Sequence, residues 1–223
     1  RDTLLTLSYM GTDAIVMRSS AEGAPLYATK AVDPIIINAG DGAHEHPTQA
    51  LLDMFSIIER KGSLEGKKVV IVGDIMHSRV ARSDVYGLTK MGADVHLAGP
   101  RTMLYPELEK MGVTIHHDVR EAVKDADVVN VLRIQLERIH SALYPTNREY
   151  ARIFGINKDV LSLAKDDVMV MHPGPMNRGL EISPDVDYWD QSVIQEQVRN
   201  GVSVRMAVLY LTIHGGDGSE LAY

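Results

Sequence analysis

Residues 68–74 read Lys68-Val69-Val70-Ile71-Val72-Gly73-Asp74, an unbroken run of four β-branched apolar residues that stops at a glycine. A strand with one face in water alternates apolar and polar residues, whereas an unbroken apolar run indicates a strand covered on both faces. Similar runs occur elsewhere in the chain, at residues 14–17, 34–38, 94–99, 127–132 and 168–171. Covered strands of this kind predict parallel sheets with helices on both sides.

Helical patterns occupy the segments between these runs. The predicted helices are an opening segment at residues 4–10, residues 47–60, 80–91, 103–111 and 119–125, and one long helix over 190–213. A polar, glycine-bearing stretch at residues 60–66 separates the first two strands from a new strand–helix series, and the helix at 47–60 bridges the two parts. The alternation predicts an α/β protein with two parallel-sheet units joined by helices.

Composition narrows the classes of function. The 223 residues include 23 Lys and Arg against 30 Asp and Glu, a formal net charge of −7, and no cysteine. A chain without cysteine has no disulfide framework, thiolate zinc site or cysteine nucleophile. The acidic balance argues against a nucleic-acid surface but not against a local cationic pocket. No apolar run approaches the ~20 residues that cross a bilayer and no signal-peptide pattern opens the chain, so we expect a cytoplasmic protein without a membrane partner.

Polar residues follow the predicted strands at the points where the strands end. Arg18, Arg79 and Arg133 come after three different strands, residues 44–49 (which include His46 and Gln49) follow a fourth, and residues 172–175 (His-Pro-Gly-Pro) follow the last. The carboxyl ends of parallel strands meet at one edge of a sheet, where α/β proteins bind ligands. One such arginine is more often a surface ion pair, but three together predict a cationic pocket for small anionic ligands.

Two motifs could indicate other chemistry. His44 and His46 form an H-x-H pair, but no third metal ligand lies at a suitable spacing, so we expect no metal. Gly73-Asp74 resembles the start of a dinucleotide-binding loop, yet Ile75 and His77 occupy positions where later glycines must let the backbone approach a pyrophosphate. A nucleotide-dependent dehydrogenase is therefore the least favoured enzyme class.

His46 is the residue from which we expect the most chemistry. It stands directly before Pro47, a residue that suits the first turn of a helix. A helix N-terminus lowers the pKa of a histidine, and a neutral imidazole could donate an N–H to a carbonyl oxygen as an oxyanion forms. Gln49, one turn later, could bind an amide-like group. The alternative is a structural histidine that caps the helix, with an exposed glutamine beside it.

Several motifs together resemble those of the aspartate carbamoyltransferases, over nearly the whole chain. Residues 38–42 (Asn-Ala-Gly-Asp-Gly) with 46–49 (His-Pro-Thr-Gln) resemble the carbamoyl-phosphate segment of that family. Residues 133–138 are similar to its aspartate-binding R-x-Q-x-E-R motif, and residues 172–179 are similar to its late loop. Ornithine-specific relatives carry a cysteine in two of these motifs, so Thr48 and the cysteine-free late loop favour aspartate over ornithine.

The resemblance implies a role for each matching residue. Arg18 and His46 would be catalytic, polarising the carbamoyl oxygen of carbamoyl phosphate. The implied carbamoyl-phosphate-binding residues are Arg18, His46, Gln49, Gly174 and Pro175. The implied aspartate-binding residues are Arg79, Arg133 and Gln135. The implied reaction carries the carbamoyl group from carbamoyl phosphate to the amine of L-aspartate, giving N-carbamoyl-L-aspartate and phosphate for pyrimidine biosynthesis, with no metal or cofactor.

The resemblance also implies an architecture. Residues 1–48 with 200–223 would form part of a carbamoyl-phosphate-binding domain, and residues 49–199 an aspartate-binding domain. The assembly would be a homotrimer with active sites shared between subunits, with regulatory subunits as possible further partners.

One departure keeps a second interpretation open. The phosphate-binding S-T-R-T-R loop of the family and its mobile lysine loop have no counterpart in this chain, so we expect that it lacks an N-terminal portion. A truncated homologue without that loop would act as a non-catalytic binding or scaffold subunit. A carbamoyltransferase for another amino acid is a further alternative. Arg18, His46, Gln49, Arg79 and Arg133 favour the catalytic interpretation, because a scaffold has no need of them.

Overall fold

The structure, a computed structural model, describes residues 1–134 and 146–215. In these residues the strands are β1 (Ala14–Ser19), β2 (Ile35–Asp41), β3 (Lys68–Val72), β4 (Asp94–Ala98), β5 (Thr114–His116), β6 (Val128–Val131) and β7 (Met169–Met171). The α-helices are α1 (Asp2–Tyr9), α2 (Ala24–Thr29), α3 (Pro47–Lys61), α4 (Arg79–Lys90), α5 (Val119–Val123), α6 (Asn147–Phe154), α7 (Lys158–Leu161), α8 (Pro184–Asp187) and α9 (Ile194–His214). Two 3-10 helices span Arg101–Met103 and Pro106–Met111.

The larger sheet has five parallel strands in the order β5-β4-β3-β6-β7. Its central strand, β3, is buried on both faces, as its unbroken apolar run predicts. Val69 and Ile71 pack into the core that includes α4, whereas Val70 and Val72 pack into the opposite core with α5 and α7. The two cores lie on opposite faces of the sheet, since successive strand side chains alternate sides.

The order of the strands creates a crevice. After β3 the chain builds β4 and β5 on one side, then returns to build β6 and β7 on the other. The carboxyl ends of β3 and β6 therefore flank the point where the order reverses, which is where open α/β sheets bind ligands. The backbone is tightly packed there, because a Cβ atom on Gly99 would lie 2.3 Å from the carbonyl oxygen of Gly73.

A second sheet consists of β1 and β2, which pair in parallel from Ala14 opposite Ile35 onwards. Helix α2 forms the crossover between them. The chain then passes from β2 into α3, and this helix carries it to the larger sheet. The carboxyl ends of β1 and β2 thereby lie at the start of α3.

Helix α3 packs against both α4 and the C-terminal helix α9. Polar contacts tie the two long helices together: the side-chain amide of Asn200 donates to the Ser56 hydroxyl at 3.1 Å and to Glu59 Oε2 at 2.8 Å. Because α9 returns along α3, residues near the end of the chain reach the region where β1 and β2 end.

The structure confirms the predicted α/β fold with parallel sheets joined by helices, and each predicted strand corresponds to an observed one. The α-helix predicted at residues 103–111 is wrong: one 3-10 helix ends at Met103 and another begins at Pro106, because the residue before a proline favours the extended conformation seen at Tyr105. Strand β5 was not predicted, since three residues are too few to show a periodicity. The division into residues 1–48 with 200–223 and residues 49–199 stays a prediction. Among the described residues, none of the helices has the length and apolarity needed to cross a membrane.

The close approach of Gly99 to Gly73 generates a stability prediction. Gly99→Ala should lower the free energy of unfolding by about 1–3 kcal/mol, because its new methyl group meets rigid backbone. The matched control is Gly87→Ala in α4, where the Cβ meets only the flexible end of Met54 at 2.9 Å and alanine gains helix propensity. Urea unfolding of both variants provides the measurement. Equal unfolding free energies for the two would show that the packing at Gly99 carries no cost.

Candidate active site

A cavity of about 310 Å³ lies in the crevice at the carboxyl ends of the strands. We call it the arginine pocket; its lining residues are Arg18, His46, Gln49, Ser78, Arg79, Val80, Arg133, Pro173, Gly174, Pro175 and Arg205. The set comes from both sheets and from the C-terminal helix. Its charged members are arginines, and no aspartate or glutamate belongs to the lining among the described residues. Small anions with more than one negative charge fit such a pocket.

The arginines reach the pocket from separate elements. Arg18 lies near the end of β1, Arg133 follows β6, and Arg79 is the first residue of α4, after the turn that leaves β3. They converge because parallel strands end on the same side, as the sequence predicted. Arg205, on α9, joins them because α9 packs along α3.

Arg79 is buried, with only 5% of its surface exposed. Its guanidinium lies over Gly40, where a Cβ atom would come within 2.8 Å of Cζ, and Nη1 donates to the Gly42 carbonyl at 3.4 Å. Gly40 has a φ of 112°, in the region that favours glycine. Glycine at position 40 therefore serves both the turn and the space that the guanidinium occupies.

The loop between β2 and α3 is held by the buried carboxylate of Asp41. It accepts hydrogen bonds from the backbone N–H of Gly23 at 2.7 Å and of Glu45 at 2.9 Å, from the Asn38 amide at 3.1 Å and from the His44 ring at 3.0 Å. Burial alone would raise the pKa of Asp41, but these hydrogen bonds outweigh it and the pKa is lowered. The carboxylate thus fixes the path of the chain into α3.

His46 is the residue immediately before α3, yet its side chain makes no capping hydrogen bond. Its backbone N–H donates to the Ser83 hydroxyl at 2.9 Å. The ring atom Nδ1 is buried and has no hydrogen-bond partner among the described residues, which leaves Nε2 as the nitrogen that can reach a pocket ligand. The alternative interpretation of His46 as a capping residue is therefore not what the structure shows.

The pKa of His46 is lowered to about 4, first by burial and then by the positive charges of Arg79, Arg205 and Arg18. The imidazole is therefore neutral near pH 7, as the sequence predicted. The sequence analysis expected the helix N-terminus to lower this pKa, whereas in the structure burial and the charges of three guanidinium groups lower it. A neutral imidazole keeps one N–H group, so it can donate a hydrogen bond without carrying a positive charge.

Gln49 lies one turn into α3 and is buried, not exposed as the structural alternative supposed. Its side-chain amide nitrogen donates to Asp53 Oδ1 at 3.0 Å. Because that nitrogen is engaged in the protein interior, the amide oxygen is the atom available to the arginine pocket.

The late loop is anchored beneath Gly174 and Pro175, which are joined by a cis peptide bond. The backbone N–H of Gly174 donates to His172 Nδ1 at 2.9 Å, and His172 Nε2 lies 3.2 Å from Glu181 Oε1. The Asn177 amide donates to the carbonyl oxygen of Ile134 at 2.8 Å, directly after Arg133. These bonds hold the loop next to the arginine that follows β6.

The arginine pocket brings together these residues predicted from the sequence: Arg18, His46, Gln49, Arg79, Arg133, Gly174 and Pro175. Gln135 lies outside the described residues. Arg205 was missed by the sequence analysis. The sequence did contain an indication of it. Arg205 comes three residues after Val202 and seven after Val198, so it is a charged residue on a helix face that is otherwise apolar.

The two histidines considered as a metal pair have separate surroundings: His44 bonds to Asp41, whereas His46 lines the arginine pocket. In residues 1–134 and 146–215, no group of three or more His, Cys, Asp or Glu side chains is placed to hold a metal ion.

Comparison with known proteins places this geometry in a family. The family model described as aspartate/ornithine carbamoyltransferase, carbamoyl-P binding domain, matches residues 1–59, and the model described as the Asp/Orn binding domain matches residues 65–212. An aspartate carbamoyltransferase catalytic subunit from Desulforamulus reducens is 59% identical, over 100% of this chain and 71% of its own length. One from Pelotomaculum thermopropionicum is 61% identical, over 97% of this chain and 70% of its own.

Solved structures agree. Ornithine carbamoyltransferase from Pyrococcus furiosus superposes with a TM-score of 0.83 at 33% identity, covering 97% of this chain and 71% of its own. Aspartate transcarbamoylase from Trypanosoma cruzi in complex with N-(phosphonacetyl)-L-aspartic acid gives a TM-score of 0.82 at 32% identity, covering 94% and 68%. The chain belongs to the aspartate/ornithine carbamoyltransferase family.

Proposed function

We propose that this chain transfers the carbamoyl group of carbamoyl phosphate to the amine of L-aspartate, giving N-carbamoyl-L-aspartate and phosphate. The observation that carries the proposal is the arginine pocket, in which Arg18, Arg79, Arg133 and Arg205 surround the neutral ring of His46. Carbamoyl phosphate and aspartate are both anions, and guanidinium groups bind phosphate and carboxylate through paired N–H donors. The relatives named as catalytic subunits support the catalytic interpretation over the scaffold alternative.

Aspartate is favoured over ornithine by the charge of the pocket. The side chain of ornithine ends in an ammonium group, which the arginines would repel and which no acidic lining residue among the described ones would balance. Aspartate instead presents a second carboxylate, which needs a second guanidinium. The named relatives at 59% and 61% identity are aspartate enzymes, in agreement with this assignment.

In the proposed reaction the neutral amine of aspartate attacks the carbonyl carbon of carbamoyl phosphate. A C–N bond forms, the carbonyl oxygen becomes an oxyanion, and the C–O bond to phosphate then breaks. His46 Nε2–H and Arg18 donate hydrogen bonds to the developing oxyanion, where donors held in place contribute most. The departing phosphate takes the proton that the amine loses. We expect no metal or cofactor, because phosphate is already a competent leaving group.

The remaining pocket residues would position the two substrates. The Gln49 amide oxygen would accept from the carbamoyl –NH2 group, and Gly174 and Pro175 would present backbone carbonyls to the same group. Arg79 and Arg133 would each hold one carboxylate of aspartate, so that its amine faces the carbonyl carbon. Gln135 stays a predicted support for aspartate.

The wider assignment is also part of the proposal. Residues 1–48 with 200–223 would belong to the carbamoyl-phosphate domain and residues 49–199 to the aspartate domain. Closure of the two would exclude water from the arginine pocket. We propose a cytoplasmic homotrimer with shared active sites and, in some assemblies, regulatory subunits.

The function is tested by product analysis. Purified protein given carbamoyl phosphate should form N-carbamoyl-L-aspartate from aspartate, and form citrulline from ornithine at least ~100 times more slowly, a difference of about 2.7 kcal/mol that charge complementarity can supply. Mass spectrometry of both products provides the measurement. The control is glutamate, a dicarboxylate with the same number of carbon atoms as ornithine. Equal rates with ornithine and aspartate would contradict the assignment of Arg79 and Arg133 to the two carboxylates.

His46 should affect turnover and not substrate affinity. His46→Ala should lower kcat by roughly 10²–10³, the effect of losing one donor to an oxyanion. The lowered pKa keeps the ring neutral down to about pH 4. His46 should therefore cause no inflection near pH 6.5 in the wild-type pH profile of kcat, and the wild type and His46→Ala should have profiles of the same shape. Steady-state kinetics between pH 5 and 9 provides the measurement. An inflection that disappears in the variant would assign His46 a changing charge and overturn this role.

Gly40 should matter through Arg79. Gly40→Ala places a methyl group within 2.8 Å of Arg79 Cζ, so the guanidinium must move and the KM for aspartate should rise by ~10-fold or more, since ~1 Å misplacements cost on that scale or above. The control is Gly112→Ala, also at positive φ but with nothing within 4 Å of the new Cβ. If both variants raise KM equally, backbone strain rather than contact with Arg79 would be responsible.

A further inference from the structure

Directly behind the arginine pocket lies a buried polar cluster that the proposed reaction does not yet use. Its members come from four elements: Asp53 on α3, Asp84 on α4, Asn130 on β6 and Gln197 on α9. All four are at most 3% exposed. Gln49 connects the cluster to the pocket, because it lines the pocket and bonds to Asp53.

The two carboxyl groups, which we call the buried carboxyl pair, each have one satisfied oxygen. Asp53 Oδ1 accepts from the amides of Gln49 at 3.0 Å and Gln197 at 2.8 Å. Asp84 Oδ2 accepts from the Asn130 amide at 2.9 Å. The other two oxygens, Asp53 Oδ2 and Asp84 Oδ1, are buried and accept no hydrogen bond from an N–H or a hydroxyl of the described residues.

Asp53 and Asp84 are neighbours across the packed helices α3 and α4, close enough for each carboxyl to act on the other. Ionised carboxylates are acceptors only, so two of them can form a hydrogen bond only when one carries a proton. A single proton between Asp53 Oδ2 and Asp84 Oδ1 would satisfy both unpaired atoms at once. Without it, two negative charges would face each other in the protein interior.

The surroundings favour uptake of that proton. Burial raises the pKa of Asp53 to about 7, although the amides of Gln197 and Gln49 and the charge of Arg205 oppose the shift. Burial also raises the pKa of Asp84 well above its usual range, and the neighbouring Asp53 charge adds to this. Among the described residues, the groups that act on the pair from β6 and α9 are the neutral amides of Asn130 and Gln197 and the charge of Arg205.

We propose that Asp53 and Asp84 share one proton, and that this protonated pair positions Gln49 with its amide oxygen toward the arginine pocket. The second part rests on the proposed function, in which that oxygen accepts from the carbamoyl –NH2 group. Asp53 Oδ1 is an acceptor, so it selects the –NH2 end of Gln49 and leaves the oxygen outward. In a pocket lined mainly by N–H donors, the Gln49 oxygen then adds a side-chain acceptor to the backbone carbonyls of Gly174 and Pro175.

The protonation of the pair affects the position of the Gln49 amide. When the shared proton is lost, Asp53 and Asp84 repel each other, and Asp53 moves relative to the amide that it holds. Both carboxyl groups are therefore positioning residues, which act on the substrate through Gln49. Their effect should appear as a change in carbamoyl phosphate KM with pH.

The first test replaces the proton by a covalent donor. In Asp84→Asn the new –NH2 group can donate to Asp53 Oδ2 while the amide oxygen still accepts from Asn130, so every hydrogen bond survives without a shared proton. Asp53→Asn achieves the same from the other side. The double variant cannot keep every hydrogen bond. If both new amides keep their oxygens toward the –NH2 groups of Gln49, Gln197 and Asn130, their own –NH2 groups face each other as two donors. Turning one amide round instead places its –NH2 group against one of those fixed –NH2 donors.

We therefore expect the double variant to have a lower Tm than either single variant, although it carries no buried charge. Two ionised carboxylates would give the opposite result. Each single substitution would then raise Tm by relieving repulsion, and the double variant would be the most stable of the set. Calorimetry of the four proteins at pH 6, where the wild-type pair holds its proton, distinguishes the two outcomes, and the second would overturn the shared proton.

The second test uses pH. A pKa that is raised in the folded state means that, between the unfolded and the folded pKa, the folded protein holds a proton that the unfolded chain has lost. The contribution to stability therefore decreases as pH rises from the usual range of an aspartate to about 7, and is lost above it. The Tm of the wild type should carry this downward contribution between pH 5 and 7, and Asp84→Asn should remove much of it. Parallel Tm curves for these two proteins would contradict the proposal.

Asp127→Asn is the matched control. The carboxyl of Asp127 is also buried, but it bonds to the Lys165 ammonium at 2.8 Å and the Lys68 backbone N–H at 2.9 Å. Burial raises its pKa, but these bonds outweigh burial and the pKa is lowered, so its contribution to stability is lost only as pH falls into the acid range. Its removal should leave the slope between pH 5 and 7 unchanged.

The third readout is kinetic. In the wild type the KM for carbamoyl phosphate should rise by ~3-fold or more between pH 6 and 8 as the pair loses its proton, and Asp84→Asn should make KM independent of pH over this range. Aspartate KM is the internal control. If the KM of Asp84→Asn kept the wild-type pH dependence, the carboxyl pair would not be what positions Gln49. The Tm measurements need no substrate, so a failure of the proposed function would leave the shared proton testable.

Discussion

The buried polar face of α3 is the constraint on which the site depends. This helix buries Gln49, Asp53 and Ser56 while Leu51 remains 43% exposed, so its interior side is held by hydrogen bonds as well as by apolar contact. Apolar surfaces tolerate small shifts, whereas a buried polar atom requires a partner at a defined distance and angle. Side chains of α4 and α9 supply those partners. The start of α3, where His46 stands, is therefore held in one position relative to both helices.

That position places a histidine among positive charges in a protein that is acidic overall. The chain has a formal net charge of −7, yet Arg18, Arg79, Arg133 and Arg205 converge on one cavity. Their charges have two effects that support each other. They attract anionic substrates, and those of Arg79, Arg205 and Arg18 add to burial in keeping the imidazole of His46 neutral, by disfavouring a further positive charge. A neutral hydrogen-bond donor and a cationic cavity are thus consequences of the same arrangement.

Much of the site could be predicted because strand ends are visible in sequence. Apolar runs mark the strands, parallel strands end on one side, and residues such as Arg18 and Arg133 directly follow them. Arg205 could not be found in this way, since it lies in the middle of a helix and reaches the pocket only through the packing of α9 on α3. The pair formed by Asp53 and Asp84 was equally inaccessible, because 31 positions of sequence separate two residues that touch only across two packed helices.

The sequence by itself determined the fold class, the covered strands and the chemical character of the pocket, because these depend on local patterns of apolar residues and on which side chains follow each strand. The tertiary structure alone decided which groups keep His46 neutral, the direction of the Gln49 amide and the packing of Asp53 beside Asp84. Each of these depends on the distance between groups far apart in the chain and on the removal of water around them. Electrostatic energies change steeply with both quantities, and neither is encoded in any local stretch of residues.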